Sequence, residues 1–452
     1  MKITEIKSLL HSMSASPRKS LGQNFLHDKN LACWIVQKLE IKPGDHVLEI
    51  GSGLGALTEQ IVLPGVSATL LEKDRTLVKY LRERYSTPDV EIIEGDALDY
   101  DTRVDFLRRP VKVIGNLPYY VSSAILFHLT SDPCPFERMV FTVQKEMADR
   151  LSGEPGTKDY GSLTLIIQRR WRVTRLKTLP PSVFLPQPQV DSAVLLFTRR
   201  EARELEETDA IKFCELVKAG FSERRKQVRK LLARYGDADK IEFALREAGL
   251  QSAVRAEDIS LKQWIRIANI LQPIVVYGGE PGELLAVVDE KDQPAAPRDR
   301  ATIHSENLLH RAVHVLILNS HGELLLQKRS YRKDRFPGRW DSSASGHVDA
   351  GESYRDSAVR ELREEIGVTT PLVELAKVPA SAATGHEFIQ VFGGLHDGPF
   401  HWNQHEIDTG GFFPLELVDE WLAARPVDFA SGFVECYLSV RPALAKMGSA
   451  GA

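Results

Sequence analysis

The chain has 452 residues, of which 43% are apolar and 27% charged, with a formal net charge of −4, and this length predicts two or three domains rather than one core. No apolar run approaches the ~20 residues that a membrane helix needs, and the first residues lack a secretory signal pattern. Four scattered cysteines without a CxxC pair argue against disulfides and zinc, so we expect a cytoplasmic protein.

Residues 47 to 200 alternate short apolar runs with helix-like stretches. This rhythm predicts a Rossmann-like α/β domain with a mostly parallel sheet. The predicted strands are VLEI (47–50), ATLLE (68–72), VEIIEG (90–95), VKVIGN (111–116), RMVFTV (138–143) and SAVLLFT (192–198).

The remaining chain divides into three parts, which gives four predicted segments in all. After the α/β domain (1–200), a charged, helix-periodic stretch (201–272) predicts a helical subdomain, and a segment rich in Gly and Pro (273–282) predicts a linker. The last segment (283–445) again shows short strands, and we expect an α+β domain there. These strands are LLAVVD (284–289), HVLILN (314–319), LLLQKR (324–329) and FIQVFGG (388–394).

The stretch VLEIGSGLGALTEQI reads as strand, glycine turn and helix. Gly51, Gly53 and Ala56 fit G-x-G-x-x-A, where glycines permit positive φ and let a ligand touch the backbone. Glu72 ends the next strand, where a carboxylate can accept both hydroxyls of a ribose. This pattern alone serves NAD as well as S-adenosylmethionine.

Two more acids favour the methyl donor. Asp96 follows the third strand and is placed to accept a hydrogen bond from an adenine amine, while Glu49 lies near the end of the first strand. A dinucleotide site needs a helix N-terminus aimed at a pyrophosphate. S-adenosylmethionine has no phosphate but carries an ammonium group, which suits an acidic lining.

The sequence GNLPYY (115–120) follows the fourth strand of the predicted sheet. Ligands of open α/β sheets lie at the carboxyl ends of the strands, so we expect Asn116, Leu117, Pro118 and Tyr119 to project over the cofactor. An amide oxygen and a backbone carbonyl can accept the protons of an exocyclic amine. Pro118 stiffens this backbone, and a tyrosine ring can stack on a base that has left its helix. These residues suit methyl transfer to a nucleobase amine.

Residues 15 to 272 resemble the small-subunit rRNA adenine dimethyltransferases (KsgA/RsmA type). The resemblance rests on SLGQNFLHD (20–28), LEIGSGLGALT (48–58), EGDAL (94–98), GNLPYY, VQKEMADRL (143–151), FLPQPQVDSAV (184–194) and FSERRKQVRKLL (221–232). It implies that Asn24, Leu26, Gly51, Glu72, Asp96 and Asn116 line the donor site. It also implies that Tyr119 and Phe184 sandwich the target adenine. The implied substrate is a pair of adjacent adenosines in a hairpin near the 3′ end of 16S rRNA.

Two basic stretches suit an RNA partner. QRRWRVTR (168–175) and ERRKQVRK (223–230) are dense in Arg and Lys, and the second, taken as a helix, would carry cations around most of its circumference. Cations of this kind contact phosphates and give affinity without sequence choice. The predicted RNA-binding residues are Arg169, Arg170, Arg172, Arg224, Arg225, Lys226, Arg229 and Lys230.

A second motif lies in residues 346 to 368, GHVDAGESYRDSAVRELREEIGV. It resembles the Nudix box, G-x5-E-x7-R-E-U-x-E-E-x-G-U, with U apolar. Glu361, Glu364 and Glu365 stand at i, i+3 and i+4, so one helix face carries three carboxylates that would repel each other. Mg²⁺ or Mn²⁺ resolves this repulsion. We therefore predict Glu364 and Glu365 as catalytic residues and all three as metal ligands in the hydrolysis of a diphosphate-containing small molecule.

The flanks of this motif resemble the Nudix branch that includes isopentenyl-diphosphate isomerase. Ser345 stands where that isomerase has a cysteine, and the box is intact here, which favours hydrolysis over isomerisation. Glu406 matches a late metal-binding glutamate of the branch. His304, His310 and His347 are either ligands or ordinary loop and core histidines.

The sequence thus predicts a fusion of an rRNA adenine dimethyltransferase and a Nudix hydrolase, without a membrane partner or an implied oligomer. Two alternatives stay open for the first part. One is a ribosome assembly factor that binds immature small subunits, with catalysis secondary. The other is an antibiotic-resistance methyltransferase acting on large-subunit rRNA.

Overall fold

The computed structural model describes residues 1–108, 110–201, 204–206, 208–273 and 284–450. The predicted linker lies outside them except for Pro273. The described residues form two compact units. The first contains Met1–Glu206 and Ala210–Gln272, and the second contains the later residues with positions 208 and 209. Among the described residues, no helix is long and apolar enough to cross a membrane.

A seven-stranded mixed sheet forms the centre of the first unit, and a two-stranded ribbon lies beside it. The sheet order is β4-β3-β2-β5-β6-β9-β7, and β1 pairs with β8. The strands are β1 (Phe25–Leu26), β2 (His46–Ile50), β3 (Ser67–Glu72), β4 (Val90–Glu94), β5 (Val111–Asn116), β6 (Phe136–Gln144), β7 (Trp171–Leu179), β8 (Phe184–Leu185) and β9 (Ser192–Arg199).

The predicted α/β architecture is confirmed. Strands β2 to β6 run parallel, while β9 and β7 join antiparallel at one edge. All six strands predicted from apolar runs are present within two residues at each end. Strand β7 was not predicted, because its sequence, WRVTRLKTL, exposes polar side chains along an edge and reads as a basic stretch.

Helices cover the sheet and form a further layer after it. Several begin at an aspartate or serine whose side chain accepts a backbone N–H, as Asp74 does for Thr76 and Ser260 for Gln263. The helices are α1 (Ile3–Ser12), α2 (Lys29–Gln37), α3 (Thr58–Ile61), α4 (Arg75–Arg84), α5 (Ser122–Thr130), α6 (Lys145–Leu151), α7 (Ser162–Gln168), α8 (Ala210–Gly220), α9 (Val228–Leu231), α10 (Ala238–Glu247) and α11 (Leu261–Leu271).

The helical part predicted at 201–272 has its own apolar core. Trp264 is fully buried at its centre, and Tyr160 and Leu165 from the preceding part of the chain belong to the same cluster. The predicted helix over ERRKQVRK is wrong. Residues 223–226 form turns, Gln227 bridges to Arg255, and α9 supplies a helix of four residues only.

The second unit contains another seven-stranded sheet and a two-stranded ribbon of β10 and β11. The sheet order is β14-β13-β12-β17-β16, with β15 paired to β12 and β18 to β13. The strands are β10 (Leu284–Leu285), β11 (Arg298–Asp299), β12 (His310–Leu318), β13 (Leu324–Arg329), β14 (Trp340–Asp341), β15 (Ala344–His347), β16 (Val373–Val378), β17 (Glu387–Leu395) and β18 (Ile407–Phe413).

The helices of this unit are α12 (Arg300–Glu306), α13 (Tyr354–Ile366), α14 (Leu415–Ala424) and α15 (Ser431–Ala450). Helix α13 begins at Ser353, whose side chain accepts the N–H of Asp356, and ends at Gly367 in the left-handed region. Its residues Leu362 and Ile366 pack into the core. The predicted strand LLAVVD is confirmed only at its first two residues, which form β10.

Candidate functional site

A cavity opens at the carboxyl ends of β2, β3 and β5 in the first unit. It is lined by backbone and apolar side chains, with a few carboxylates among them. The predicted donor-site residues that line it are Asn24, Leu26, Gly51, Gly53, Glu72, Asp96, Asn116 and Pro118. The parallel strands bring these distant positions together, since their carboxyl ends meet at one edge of the sheet.

Asn116 is held so that one side of its amide is engaged and the other is free. Its Nδ2 donates to the carbonyl of Asn24 at 2.8 Å. Its Oδ1 is buried and has no hydrogen-bond partner within the described residues. A buried acceptor without a donor costs free energy, so this oxygen is placed for a donor that arrives with a ligand. An exocyclic amine is such a donor.

Two buried acids lie under the glycine turn. The oxygens of Glu72 accept the N–H groups of Gly53 and Asp74 at 2.8 and 2.9 Å, yet burial keeps its pKa above the usual value. Burial also raises the pKa of Glu49 to about 8, although Thr58 donates to its carboxyl. Ser52 Oγ is buried nearby without a partner among the described residues. These polar atoms suit a ligand with hydroxyl and ammonium groups.

Asp96 lines the cavity at its exposed side. The backbone N–H of Leu98 and the ammonium of Lys73, 2.5 Å from Oδ2, lower the pKa of Asp96. The carboxylate is therefore ionised and keeps lone pairs for a further donor. This position and charge fit the predicted contact with an adenine amine.

The N-terminal segment covers one side of the cavity. Strand β1 pairs with β8, so Leu26 lies opposite Phe184. Gly22 has a positive φ of 62° and leaves room for Pro118, because an added Cβ would lie 3.1 Å from the Pro118 side chain. The family resemblance alone had suggested that this segment reaches the donor site. The pairing of β1 with β8 gives the physical reason.

Some residues predicted to project over the cofactor or to hold the target adenine do not line the cavity. Leu117 and Phe184 are each 1% exposed and belong to the core. Tyr119 is partly buried, and its hydroxyl lies 2.5 Å from Ser192 Oγ. The rings of Tyr119 and Phe184, which were expected to hold an adenine between them, therefore do not line the cavity. The lining instead includes Tyr120, 64% exposed, which the sequence reasoning passed over although it ends the GNLPYY motif.

Many of the predicted RNA-binding cations have carboxylate partners in the fold. Arg172 pairs with Glu204, Arg170 with Asp132, Arg224 with Glu257, Lys226 with Glu223 and Arg229 with Glu242. Arg169 follows α7, whereas the exposed Arg225 and Lys230 lie in the turn and helix after α8. Surface pairs of this kind are weak and exchange readily for phosphate, so the RNA contact stays a prediction.

The second unit has a cavity of a different kind, between α13 and the sheet. Arg360 donates to Glu361 at 2.7 Å and to Glu364 at 3.2 Å, so it orients these carboxylates. Glu365 is 2% exposed, and its Oε2 accepts from Gln327 and the N–H of Ser345, both at 2.9 Å.

Three carboxylates lie close together here, and two of them, Glu361 and Glu406, line the cavity. Burial raises the pKa of Glu361 to about 8 although Arg360 opposes the change, and Glu406 adds to the rise. Burial and Glu406 together raise the pKa of Glu365. Burial acts on Glu406 in the same direction, but Lys333, 2.5 Å away, leaves its pKa below the usual value. This cluster of hard oxygen ligands, partly offset by Arg360 and Lys333, fits Mg²⁺ or Mn²⁺.

Histidines form a second group of candidate ligands beside this cavity, which His347 and Glu387 line. The Nε2 atoms of His310 and His347 lie 3.6 and 3.5 Å from Glu387 Oε1, and the three ligand atoms lie within 4.8 Å of one another. The His304 ring is 5.3 Å from that of His347, and its Nε2 is buried without a hydrogen-bond partner among the described residues. The three rings are thus clustered, and this mixed set could hold a further cation.

The first unit is therefore a Rossmann-like methyltransferase-type fold with an acceptor-lined donor cavity, and the second is a carboxylate-helix domain. Residues 15–273 match the ribosomal RNA adenine dimethylase family model, and residues 308–431 match the NUDIX domain model. The chain belongs to the ribosomal RNA adenine dimethylase family, and it carries a Nudix domain fused after the methyltransferase part.

Similar proteins cover the first part of the chain. A ribosomal RNA small subunit methyltransferase A from Xanthomonas campestris pv. campestris (strain B100) is 37% identical over 260 residues, 57% of this chain and 98% of that protein. The protein of that name from Bacillus cytotoxicus is 38% identical over 278 residues, with coverage of 59% and 95%. Among solved structures, the 23S rRNA methyltransferase ErmE is 27% identical, with a TM-score of 0.47 and coverage of 55% and 99%.

Proposed function

We propose that the first unit transfers methyl groups from S-adenosylmethionine to the N6 amines of two adjacent adenosines in the 3′-terminal hairpin of 16S rRNA. The observation that carries this proposal is the buried, unpartnered Oδ1 of Asn116 at the donor cavity. The family membership of the chain and the names of its relatives supply the RNA class. The reaction belongs to small-subunit biogenesis, and a cytoplasmic location follows from it.

Three side chains of the cavity have separate roles in this reaction. Bound S-adenosylmethionine supplies an electrophilic methyl group. Glu72 would hold the ribose hydroxyls, and Asp96 would hold the adenine amine of the donor. Asn116 Oδ1 accepts one hydrogen of the target N6 amine, which localises the lone pair of that nitrogen for attack. No general base is needed before the attack, because the amine nitrogen reacts through its lone pair and releases its proton afterwards.

Proximity accounts for much of the expected rate. Orienting an amine against the donor converts a bimolecular step into an effectively unimolecular one, which is worth about 7–11 kcal/mol in well-oriented systems. The Asn116 to Asn24 hydrogen bond fixes the amide before substrate arrives. The cavity residues thus act mainly by orientation.

The experiment for this proposal is a mapping of methylation. Immature small subunits and large-subunit rRNA are incubated separately with the full chain and labelled donor, and dimethyladenosine is mapped by sequencing. Label at two adjacent adenosines of the 16S hairpin is expected. Label in the large-subunit RNA would support the resistance-type alternative. Tight binding of immature subunits without label would support the assembly-factor alternative.

We infer that the second unit hydrolyses a diphosphate-containing small molecule with Mg²⁺ or Mn²⁺. The mutual proximity of Glu361, Glu365 and Glu406 carries this inference, since Glu406 raises the pKa of the other two carboxyls. A bound divalent cation supplies Lewis acidity and neutralises phosphate charge. Arg360 positions Glu361 and Glu364, and Ser345 holds Glu365 through its backbone N–H.

The hydrolase proposal is tested with nucleoside, prenyl and sugar diphosphates, with Mg²⁺ and with Mn²⁺. Phosphate or monophosphate release by the wild type, lost in Glu365→Gln, is expected. If Glu365→Gln retains full turnover, Glu365 is not part of the active site. Absence of turnover across the panel would count against the hydrolase activity.

A further inference from the structure

The described residues bring four cations to the cavity of the second unit from outside the Nudix box: Arg300, Arg329, Lys333 and Arg335. Lys333 and Arg335 lie in the segment between β13 and β14, and Arg300 begins α12, ahead of the matched Nudix residues. Arg300 is exposed and has no carboxylate within 4.0 Å among the described residues. The Arg335 guanidinium lies 3.9 Å from Glu387, beyond a good hydrogen bond.

The other cations of the lining are already engaged by the fold. Arg329 is 2.8 Å from Asp341, and Arg360 donates to the box glutamates. Arg300 and Arg335 have no carboxylate at hydrogen-bond distance among the described residues and are left for the substrate. Lys333 lies 2.5 Å from Glu406 and would be released for the substrate once a divalent cation takes that carboxylate. Guanidinium groups bind phosphate and carboxylate through paired N–H donors, so these positions favour anionic groups.

The same lining offers little to an apolar or aromatic group. Phe336 is the one phenyl, phenol or indole ring that lines the cavity in the described part of the chain, and the Arg339 guanidinium lies 5.6 Å from its centroid. The aliphatic side chains of the lining are Leu285, Ala312 and Ala430. Bases are held by stacking on rings, and prenyl chains need an apolar groove. The cavity provides neither a pair of rings nor such a groove.

We propose that this cavity takes a compact diphosphate that carries a further phosphate or carboxylate group and has neither a nucleobase nor a prenyl chain. Arg300 and Arg335 bind the further anionic group, and Lys333 binds the diphosphate. This substrate class rests on the proposed hydrolase function. In the reaction a water oxygen bonds to one phosphorus, the bridging P–O bond breaks, the second phosphate leaves with the bridging oxygen, and one proton passes to solvent.

The experiment compares three substrates on the full chain with Mn²⁺: 5-phosphoribosyl 1-diphosphate, ADP and geranyl diphosphate. The expected kcat/KM for the first compound is at least about tenfold above the others, since one charge-assisted contact of ~1.5–3 kcal/mol corresponds to about tenfold or more. Arg300→Gln and Arg335→Gln should each raise its KM about tenfold and leave kcat nearly unchanged. The matched control is Arg298→Gln, an exposed position two residues before Arg300 that does not line the cavity.

A wild type that prefers ADP or geranyl diphosphate would overturn the substrate class while leaving the hydrolase proposal standing. If no compound is turned over, calorimetric binding with Mn²⁺ decides. If the wild type binds 5-phosphoribosyl 1-diphosphate and Arg300→Gln weakens that binding, the anion site is supported. Only the proposed hydrolase activity is then contradicted. Absence of binding to that compound would overturn the inference itself.

Discussion

The two cavities of this protein are built differently. The donor cavity is lined by glycine backbone and apolar side chains, with a buried amide oxygen at Asn116 that has no partner among the described residues. The other cavity is lined by carboxylates, guanidinium groups and histidines. The first therefore offers mostly apolar contacts to a ligand, whereas the second offers mostly charged ones.

The buried acids show the same contrast. Burial raises the pKa of Glu49 and of Glu361, each to about 8. In the donor cavity the main opposing influence is a neutral hydroxyl from Thr58. In the second cavity a guanidinium opposes the rise and another carboxylate, Glu406, adds to it. The comparison teaches that the same direction of pKa shift has two different settings. In the first unit the acid is buried in an apolar pocket, and in the second it is buried beside other carboxylates.

Replacing Asn116 should have the largest effect, because it removes the buried amide oxygen that we expect to accept a hydrogen bond from the target amine. Asn116→Ala is expected to lower methyl transfer about 10²–10³-fold, the loss typical of removing one positioned hydrogen-bonding group from a reacting centre. Donor affinity should change little. Single-turnover labelling of RNA measures the rate, and Glu365→Gln, altered in the other unit, serves as the control. A wild-type rate in Asn116→Ala would contradict the role of the amide.

A methyl group added at Gly346 should disable the second cavity. Its Cβ would overlap the carboxyl of Glu361, so Gly346→Ala must displace that carboxylate. We expect Mn²⁺ affinity to fall about 10–100-fold, measured as the Mn²⁺ concentration that raises the Tm. The matched control is Gly432→Ala in the same lining, where the nearest atoms to an added Cβ are 3.6 Å away. Unchanged Mn²⁺ dependence in Gly346→Ala would remove Glu361 from the ligand set.

The proton affinity of Glu49 should make the stability of the first unit depend on pH. The folded pKa of about 8 lies above the ordinary 4.5, so the folded state binds the proton more tightly than the unfolded chain. The stability from this group is therefore fully present below pH 4.5 and is lost as pH rises toward 8. The slope is about 1.4 kcal/mol per pH unit for one group.

Denaturant unfolding without the donor, repeated across this pH range, measures that slope. Glu49→Gln should flatten it, because a neutral amide does not titrate. Glu59→Gln, an exposed change near the same glycine turn, should leave the slope unchanged. An equal slope in wild type and Glu49→Gln would show that Glu49 does not titrate in this window.

The smallest expected effect concerns Tyr120. Its exposed ring lines the donor cavity, while the hydroxyl of Tyr119 lies against Ser192. Tyr120→Ala should raise the KM for RNA about fivefold, near the low end of the ~1–3 kcal/mol for base stacking, and leave the KM for the donor unchanged. Tyr120→Phe keeps the ring and should behave as wild type. Equal KM values for RNA in the Ala and Phe variants would exclude stacking.

The fold was readable from the sequence where local pattern and tertiary role agree. Buried strands such as VKVIGN are continuously apolar, and the Nudix helix carries a cap, an apolar face and an acidic face. The edge strand β7 was missed, because an edge strand exposes polar side chains and loses its apolar signal. The helix over ERRKQVRK was wrong, because helix-forming residues there are overruled by a turn and a bridge from Gln227 to Arg255.

The sequence by itself determined the two chemistries, because the glycine turn, the GNLPYY motif and the carboxylate spacing are short-range features. Only the tertiary structure decided which side chains meet. It buried Phe184, brought Tyr120 to the cavity, joined Asn24 to Asn116, and placed Arg300 beside the Nudix carboxylates. Contacts between residues far apart in the chain depend on strand register and packing, which local spacing does not encode.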